Sequence, residues 1–137
     1  MFATTYLLDA IRIADVMHPG IIDCDSHTSI EDVAEQMSRM GVHSLAIRDE
    51  SGDAPVIVSD LDVVAAIGSG ERGLQIRDVA AQGPLTVSSR HSMREAARMM
   101  SEHGVTHLVV LDDASGAPCG VISSTDVLAA YASVSAG

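Results

Sequence analysis

The motif Ser-x-x-Asp occurs as Ser59-x-x-Asp62 and again as Ser123-x-x-Asp126, each time where a predicted strand runs into a predicted helix. The first turn of a helix has unpaired N–H groups and a partial positive charge, so it suits an anion. A carboxylate in that turn has two acceptor oxygens, enough for both hydroxyls of a ribose. The motif therefore suits a ribose phosphate, although the same residues also form an ordinary helix N-cap with a helix-favouring acid.

Histidines are the other candidates for ligand chemistry. His43 and His107 come shortly after the first predicted helix of each half of the chain. An imidazole there can donate to a phosphate, and a core or solvent-facing histidine is the alternative. The other histidines match no metal-ligand spacing, so we predict no metal site. The sequence holds no nucleophile elbow, phosphate-binding loop or dinucleotide-binding glycine motif. We therefore predict no catalytic residue and no enzymatic activity.

The chain contains an internal repeat, because residues 13–66 align with residues 76–130. The fold of this repeat must position the candidate ligand-binding groups. In each copy a serine N-cap precedes an apolar stripe at helical spacing, and a glycine ends that helix. Two strands joined by a polar turn then indicate a hairpin before a second helix. These signals are Ser29, Gly41 and the turn 49–53 in the first copy, and Ser92, Gly104 and the turn 112–116 in the second.

Each repeat is therefore predicted to fold as strand–helix–strand–strand–helix. Because neither repeat alone is expected to bury its sheet, the two sheets should share a core about a pseudo-twofold axis, in a mixed α+β architecture. The predicted divisions are a first repeat with an N-terminal extension at 1–67, a linker at 68–75, a second repeat at 76–132 and a tail at 133–137.

Composition excludes several classes of partner. Hydrophobic residues make up 47% of the chain and aromatic residues 2%, so the core must be aliphatic and stacking platforms for single-stranded nucleic acid are scarce. The formal net charge of −11 disfavours duplex nucleic acid and anionic membrane surfaces. No apolar run approaches the roughly 18 residues of a membrane span. We expect a soluble, cytoplasmic protein without membrane insertion.

Four short segments carry a resemblance to a known family: Ile13–Met17, Gly41–Ile47, Gly104–Asp112 and Gly120–Val127. Their order, spacing and duplication resemble the cystathionine β-synthase (CBS) domain. The tandem resembles the paired CBS unit called a Bateman module, over about residues 13–132.

The resemblance implies a regulatory module that senses cellular energy. CBS pairs bind adenosine-containing ligands (AMP, ADP, ATP or S-adenosylmethionine) in clefts between the repeats, usually dimerise, and modulate an enzyme, channel or transporter. We accordingly expect a homodimer that needs no obligatory cofactor and acts on an unidentified effector protein in another chain. The alternatives are a ligand-free interaction module of the same fold and a small enzyme.

The resemblance also implies ligand contacts in both copies. In the second copy they are Thr86, Val87, Thr106, His107, Val121, Ser123 and Asp126, and in the first they are Ile22, His43, Ser59 and Asp62. The second copy is the favoured ligand site because Gly120 has no side chain and would let a ligand approach the backbone. The first copy has Val56 at the matching position. The first copy has Asp23 in place of Thr86, and its carboxylate would repel a phosphate.

Overall fold

The computed structural model describes residues 7–20, 22–48, 56–79 and 85–136, with side chains up to residue 134 in the last stretch. These residues fall into two units. The first-repeat unit is Ile21–Pro84, and the second-repeat unit is Met1–Gly20 together with Leu85–Gly137. Each unit combines helices with one sheet, so the mixed α+β fold predicted from the sequence is confirmed.

The elements include the predicted strand–helix–strand–strand–helix order in each repeat, together with a 3-10 helix, a further short strand and a further short helix that were not predicted. They are a 3-10 helix Ile13–Asp15, β1 His18–Pro19, β2 Asp23–Cys24, α1 Ile30–Met40, β3 Ser44–Ile47, β4 Val56–Ser59, α2 Asp60–Ser69, α3 Ile76–Val79, β5 Thr86–Ser88, α4 Met93–His103, β6 His107–Leu111, β7 Pro118–Ser123 and α5 Ser124–Ala136. Within the part of the chain that the structure describes, no helix is long and apolar enough to cross a membrane.

The first helix of each repeat begins and ends at the predicted caps. The Ser29 side chain accepts from the Asp32 backbone N–H at the start of α1. Ser92 and Glu95 form a reciprocal capping box at the start of α4. Gly41 and Gly104 end the two helices in the left-handed conformation, with φ of 65° and 64°. The apolar stripe of each helix is thereby set against its own sheet.

Each unit has one sheet and one buried apolar cluster. The first-repeat sheet has the order β2-β3-β4, and the second-repeat sheet has the order β1-β7-β6-β5. In both sheets the strand before the first helix runs parallel to the strand after it, which then pairs antiparallel with the next strand. The clusters centre on Val33, Leu45, Val58 and Ile76 in the first-repeat unit and on Ile13, Met93, Leu108 and Ile122 in the second-repeat unit.

Of the two predicted hairpin turns, the structure describes the one in the second repeat. The turn at 49–53 lies outside the described residues. In the turn at 112–116 the Gly116 N–H donates to the Asp112 carbonyl at 2.7 Å, and Gly116 has a φ of 73°. This turn joins β6 to β7 and so fixes the pairing of His107 with Ser123 at the far end of the hairpin.

The leading segment of each repeat packs in the unit of the other repeat. The Ile13 N–H donates to the His91 carbonyl at 2.8 Å, and the Ile76 N–H donates to the Thr28 carbonyl at 2.8 Å. Both isoleucines are fully buried. The predicted domain boundaries follow the sequence repeat, but each leading segment belongs to the compact unit of the other repeat. The reason is that Ile13 and Ile76 find their backbone partners, His91 and Thr28, just before the first helix of the other repeat.

Candidate functional site

One face of the second-repeat sheet carries most of the residues predicted for the second copy. Thr86 pairs with Val109, Val109 with Val121, and Val121 with His18. Directly paired residues project from the same face of a sheet, as do residues two apart on one strand. Thr86, His107, Val121 and Ser123 therefore share one face, and His18 joins them from the edge strand β1.

Two other predicted residues lie differently. The Val87 side chain is buried in the second-repeat cluster, on the opposite face of the sheet from Thr86. Thr106 precedes β6; its Oγ1 lies 2.9 Å from His107 Nδ1, and its carbonyl accepts from the Ser124 N–H at 2.8 Å. Val87 can therefore offer a ligand no side-chain contact on the shared face.

The Asp126 carboxylate joins the start of α5 to this face. Its Oδ2 accepts from the Ser123 backbone N–H at 2.8 Å and from the Ser123 hydroxyl at 2.8 Å. Ser123 Oγ in turn accepts from the Asp126 N–H at 3.3 Å, which closes a capping arrangement. Asp126 Oδ1 takes no part in capping and lies 3.0 Å from His18 Nε2. One oxygen thus serves the helix, and the other is directed to the neighbouring strand β1.

His18 is a residue of this site that the sequence analysis missed. No local motif indicates its role, because it reaches Asp126 only through the pairing of β1 with β7. The two residues are 108 positions apart in the chain. No sequence signal could have found His18, because a strand of two residues has no periodicity.

The prediction that Gly120 leaves room for a ligand is wrong. A Cβ at position 120 would lie 2.6 Å from the His18 backbone oxygen and 2.9 Å from Met17 Sδ. The space is filled by this chain's own β1, which pairs Pro19 with Gly120. Gly120 is therefore required for strand packing, and through that packing for the position of His18.

The first-repeat unit repeats the capping arrangement. Asp62 Oδ2 accepts from the Ser59 N–H at 3.0 Å and from the Ser59 hydroxyl at 3.1 Å. His43 Nδ1 lies 3.1 Å from Oδ2 of Asp60, the first residue of α2. The Ile22 carbonyl accepts from the backbone N–H of Ala46. The structure thus places His43 against a carboxylate at the start of α2.

The charges around the two motifs differ. Arg48 donates to both carboxylate oxygens of Asp23, at 2.9 and 3.3 Å, and this hydrogen bonding holds the pKa of Asp23 below its ordinary value. The predicted repulsion between Asp23 and a phosphate is therefore offset by the guanidinium. Thr86 and Ser124 take the positions of Asp23 and Asp60 in the second repeat. The second motif is thus less negative and better suited to an anion.

Comparison with known proteins gives consistent matches along both repeats. Residues 13–69 and 76–133 each match the family model described as CBS domain. The structure of CBSX2 in complex with AMP is 24% identical, with a TM-score of 0.70 over 91% of this chain and 98% of that chain. The CBS domain pair of protein MJ0100, in complex with 5′-methylthioadenosine and S-adenosyl-L-methionine, is 20% identical, with a TM-score of 0.78 over 89% of this chain and 96% of that chain.

A relative among curated proteins is longer than this chain. The uncharacterized protein MK0525 of Methanopyrus kandleri is 23% identical over 87% of this chain. The chain spans 62% of the length of that relative. The match thus extends over both repeats of this chain and leaves part of the relative unmatched.

Proposed function

This chain belongs to the CBS domain family as a tandem CBS pair, and on that premise we propose that it binds an adenosine-containing ligand at the second-repeat motif. The observation that supports the proposal most strongly is that the two carboxylate oxygens of Asp126 have different partners. Oδ2 is fixed by two hydrogen bonds from Ser123, which orients the carboxylate, while Oδ1 stays outside the cap. A carboxylate oriented in this way is a prepared acceptor for ribose hydroxyls.

The phosphate or other polar end of the ligand would lie along the same face. The start of α5 supplies a partial positive charge, and the helix has 13 residues, long enough for a developed dipole. His107 lies on the shared face and supplies an imidazole that can donate to an anion. Thr86 adds a hydroxyl on β5 on that face. These groups, rather than Val87, form the proposed ligand contacts in the second repeat.

The class of ligand follows from what similar structures share. CBSX2 is in complex with AMP, and the MJ0100 pair is in complex with 5′-methylthioadenosine and S-adenosyl-L-methionine. Adenosine is common to all three ligands. The net charge of −11 favours ligands with few phosphates. We therefore rank AMP and S-adenosylmethionine above ADP and ATP, with the first-repeat residues Ile22, His43, Ser59 and Asp62 forming a weaker second site.

We further propose that the chain regulates a partner as a cytoplasmic homodimer and catalyses no reaction. The second helix of each repeat has an outward apolar stripe. On α2 Leu61 is 68% exposed and Val64 and Ile67 are 59% exposed, and on α5 Leu128 is 68% and Tyr131 46% exposed. Neighbouring apolar side chains of this size on one helix face are typical of an association surface.

The competing function is an interaction module of the same fold that binds no ligand, and a thermal-shift panel separates the two. AMP, ADP, ATP, S-adenosylmethionine and NAD are each tested with the full chain. At a hundred times Kd a ligand stabilises the folded state by about 2.7 kcal/mol, which gives a clear shift in Tm. Stabilisation by an adenosine compound is expected, and a Tm unmoved by every compound favours the interaction module.

The homodimer is tested by sedimentation of the wild type and of Leu128→Glu. The wild type should sediment as a dimer at tens of micromolar (about the range of weak dimer affinities). A charge in the exposed stripe of α5 should shift the population to monomer while the chain stays folded, because Leu128 is 68% exposed. Ser101→Glu is a matched control, because it adds the same single charge at an exposed position of α4. A monomeric wild type would contradict the proposal.

A further inference from the structure

The contact between His18 and Asp126 has a consequence for any ribose bound at this site. His18 Nε2 lies 3.0 Å from Asp126 Oδ1, and the side chains are 75% and 13% exposed, respectively. The imidazole is therefore exposed to solvent, whereas the carboxylate that it contacts is largely covered. A ligand that approaches Oδ1 from solvent meets His18 first.

The acceptor capacity of Asp126 is limited. An ionised carboxylate has about four acceptor positions, two on each oxygen. Ser123 fills the two positions on Oδ2 through its N–H and its hydroxyl. His18 fills one position on Oδ1. Among the residues that the structure describes, no other group forms a hydrogen bond with Oδ1, so one position remains. It is enough for a single hydroxyl, whereas the two vicinal hydroxyls of a ribose need two.

Strand pairing holds the backbone of His18 in place, whereas its side chain is 75% exposed. β1 pairs His18 with Val121, and the Gly20 N–H donates to the Cys119 carbonyl at 2.9 Å. The absence of a side chain at Gly120 lets β1 lie this close. Removing the imidazole from Oδ1 is thus a rotamer change of an exposed side chain and needs no unfolding of the strand.

We propose that His18 is a displaceable occupant of the ribose-binding oxygen of Asp126 and sets how strongly this site discriminates ribose from deoxyribose. The inference rests on the proposed function, because it assigns a role to His18 within that same site. With the imidazole on Oδ1, AMP must displace it to use both hydroxyls. 2′-Deoxy-AMP, with one hydroxyl, can use the remaining position and leave His18 where it is.

The test is isothermal titration of AMP and 2′-deoxy-AMP into the full-length wild type and His18→Ala. Displacing the imidazole costs little because the His18 side chain is 75% exposed, so the variant should bind AMP about two- to fivefold more tightly. Its affinity for 2′-deoxy-AMP should not change, and the ratio of the two affinities should rise by the same two- to fivefold. The control is His27→Ala, which removes an exposed histidine of the first-repeat unit whose Nδ1 lies 3.3 Å from Gln75 Oε1.

The outcomes separate this inference from the proposed function. A raised ratio in His18→Ala, or AMP binding that is detectable only in His18→Ala, supports the role of His18. Binding of AMP by the wild type with an unchanged ratio, or weaker AMP binding in His18→Ala, overturns that role and leaves the proposed function standing. Absence of AMP binding in both proteins overturns both.

Discussion

Replacing Asp126 with alanine should affect stability and binding by separate routes. The substitution removes the acceptor of the Ser123 N–H and hydroxyl, both at 2.8 Å. Ser123 keeps its own bond from the backbone N–H of residue 126, so the helix start is weakened and not lost. Loss of half of a capping box costs about 1–2 kcal/mol, which lowers Tm by about 3–8 °C in a chain of this size.

Two further variants show how the loss of stability in Asp126→Ala arises. Asp126→Asn keeps an amide oxygen for the Ser123 N–H and loses the negative charge near the helix start, so it should cost about 0.3–1 kcal/mol. Asp62→Ala removes the equivalent acceptor in the first repeat, where the distances are 3.0 and 3.1 Å. It should lower stability about as much as Asp126→Ala does. Thermal unfolding followed by circular dichroism measures all three changes.

The loss of AMP affinity should not parallel the loss of folding stability in these variants. Asp126→Ala should weaken AMP binding about ten- to a hundredfold, because hydrogen bonds to a charged group are worth about 1.5–3 kcal/mol. Asp62→Ala should bind AMP nearly as the wild type does, since the first motif has the more negative surroundings. Equal loss of AMP affinity in both variants would refute the choice of the second motif. An unchanged Tm in both would refute the capping geometry.

The remaining predictions concern glycines. Gly120→Ala places a Cβ 2.6 Å from the His18 backbone oxygen, so β1 must shift, and urea unfolding should show a loss of about 1–3 kcal/mol; wild-type stability would contradict this packing. Gly104→Ala forces a left-handed φ of 64° on alanine and should cost about 1–2 kcal/mol. Gly68→Ala, within α2 and with open space around its Cβ, should instead stabilise by up to about 1 kcal/mol, and the opposite signs are checked by the same urea series.

Local features of the fold were predictable because their signals are local. A serine cap, a reciprocal acid three residues later and a terminal glycine define α4 from Ser92 to Gly104 without any distant contact. The repeat strengthened this interpretation, since a serine cap and a terminal glycine recur at Ser29 and Gly41 in the first copy. The hairpin of each repeat was also predicted. The parallel pairing of the leading strand with the strand after the first helix came only from the structure.

The site was only partly predictable, because its decisive contact is not local. Asp126 was recognised from its motif, but His18 reaches it through the pairing of a two-residue strand with β7. Such a short strand has no periodicity that a sequence pattern can detect. Gly120 was misread for the same reason. A glycine in a strand indicates close approach by some group, and only the structure identifies that group as the His18 backbone.

A calorimetric titration of AMP into the wild-type chain beside Asp126→Ala tests whether Asp126 holds the ligand. This role of Asp126 predicts saturable binding by the wild type at a principal site in each chain, weakened about ten- to a hundredfold in Asp126→Ala. Wild-type binding that Asp126→Ala leaves unchanged, or no AMP binding by a folded wild type, would contradict it.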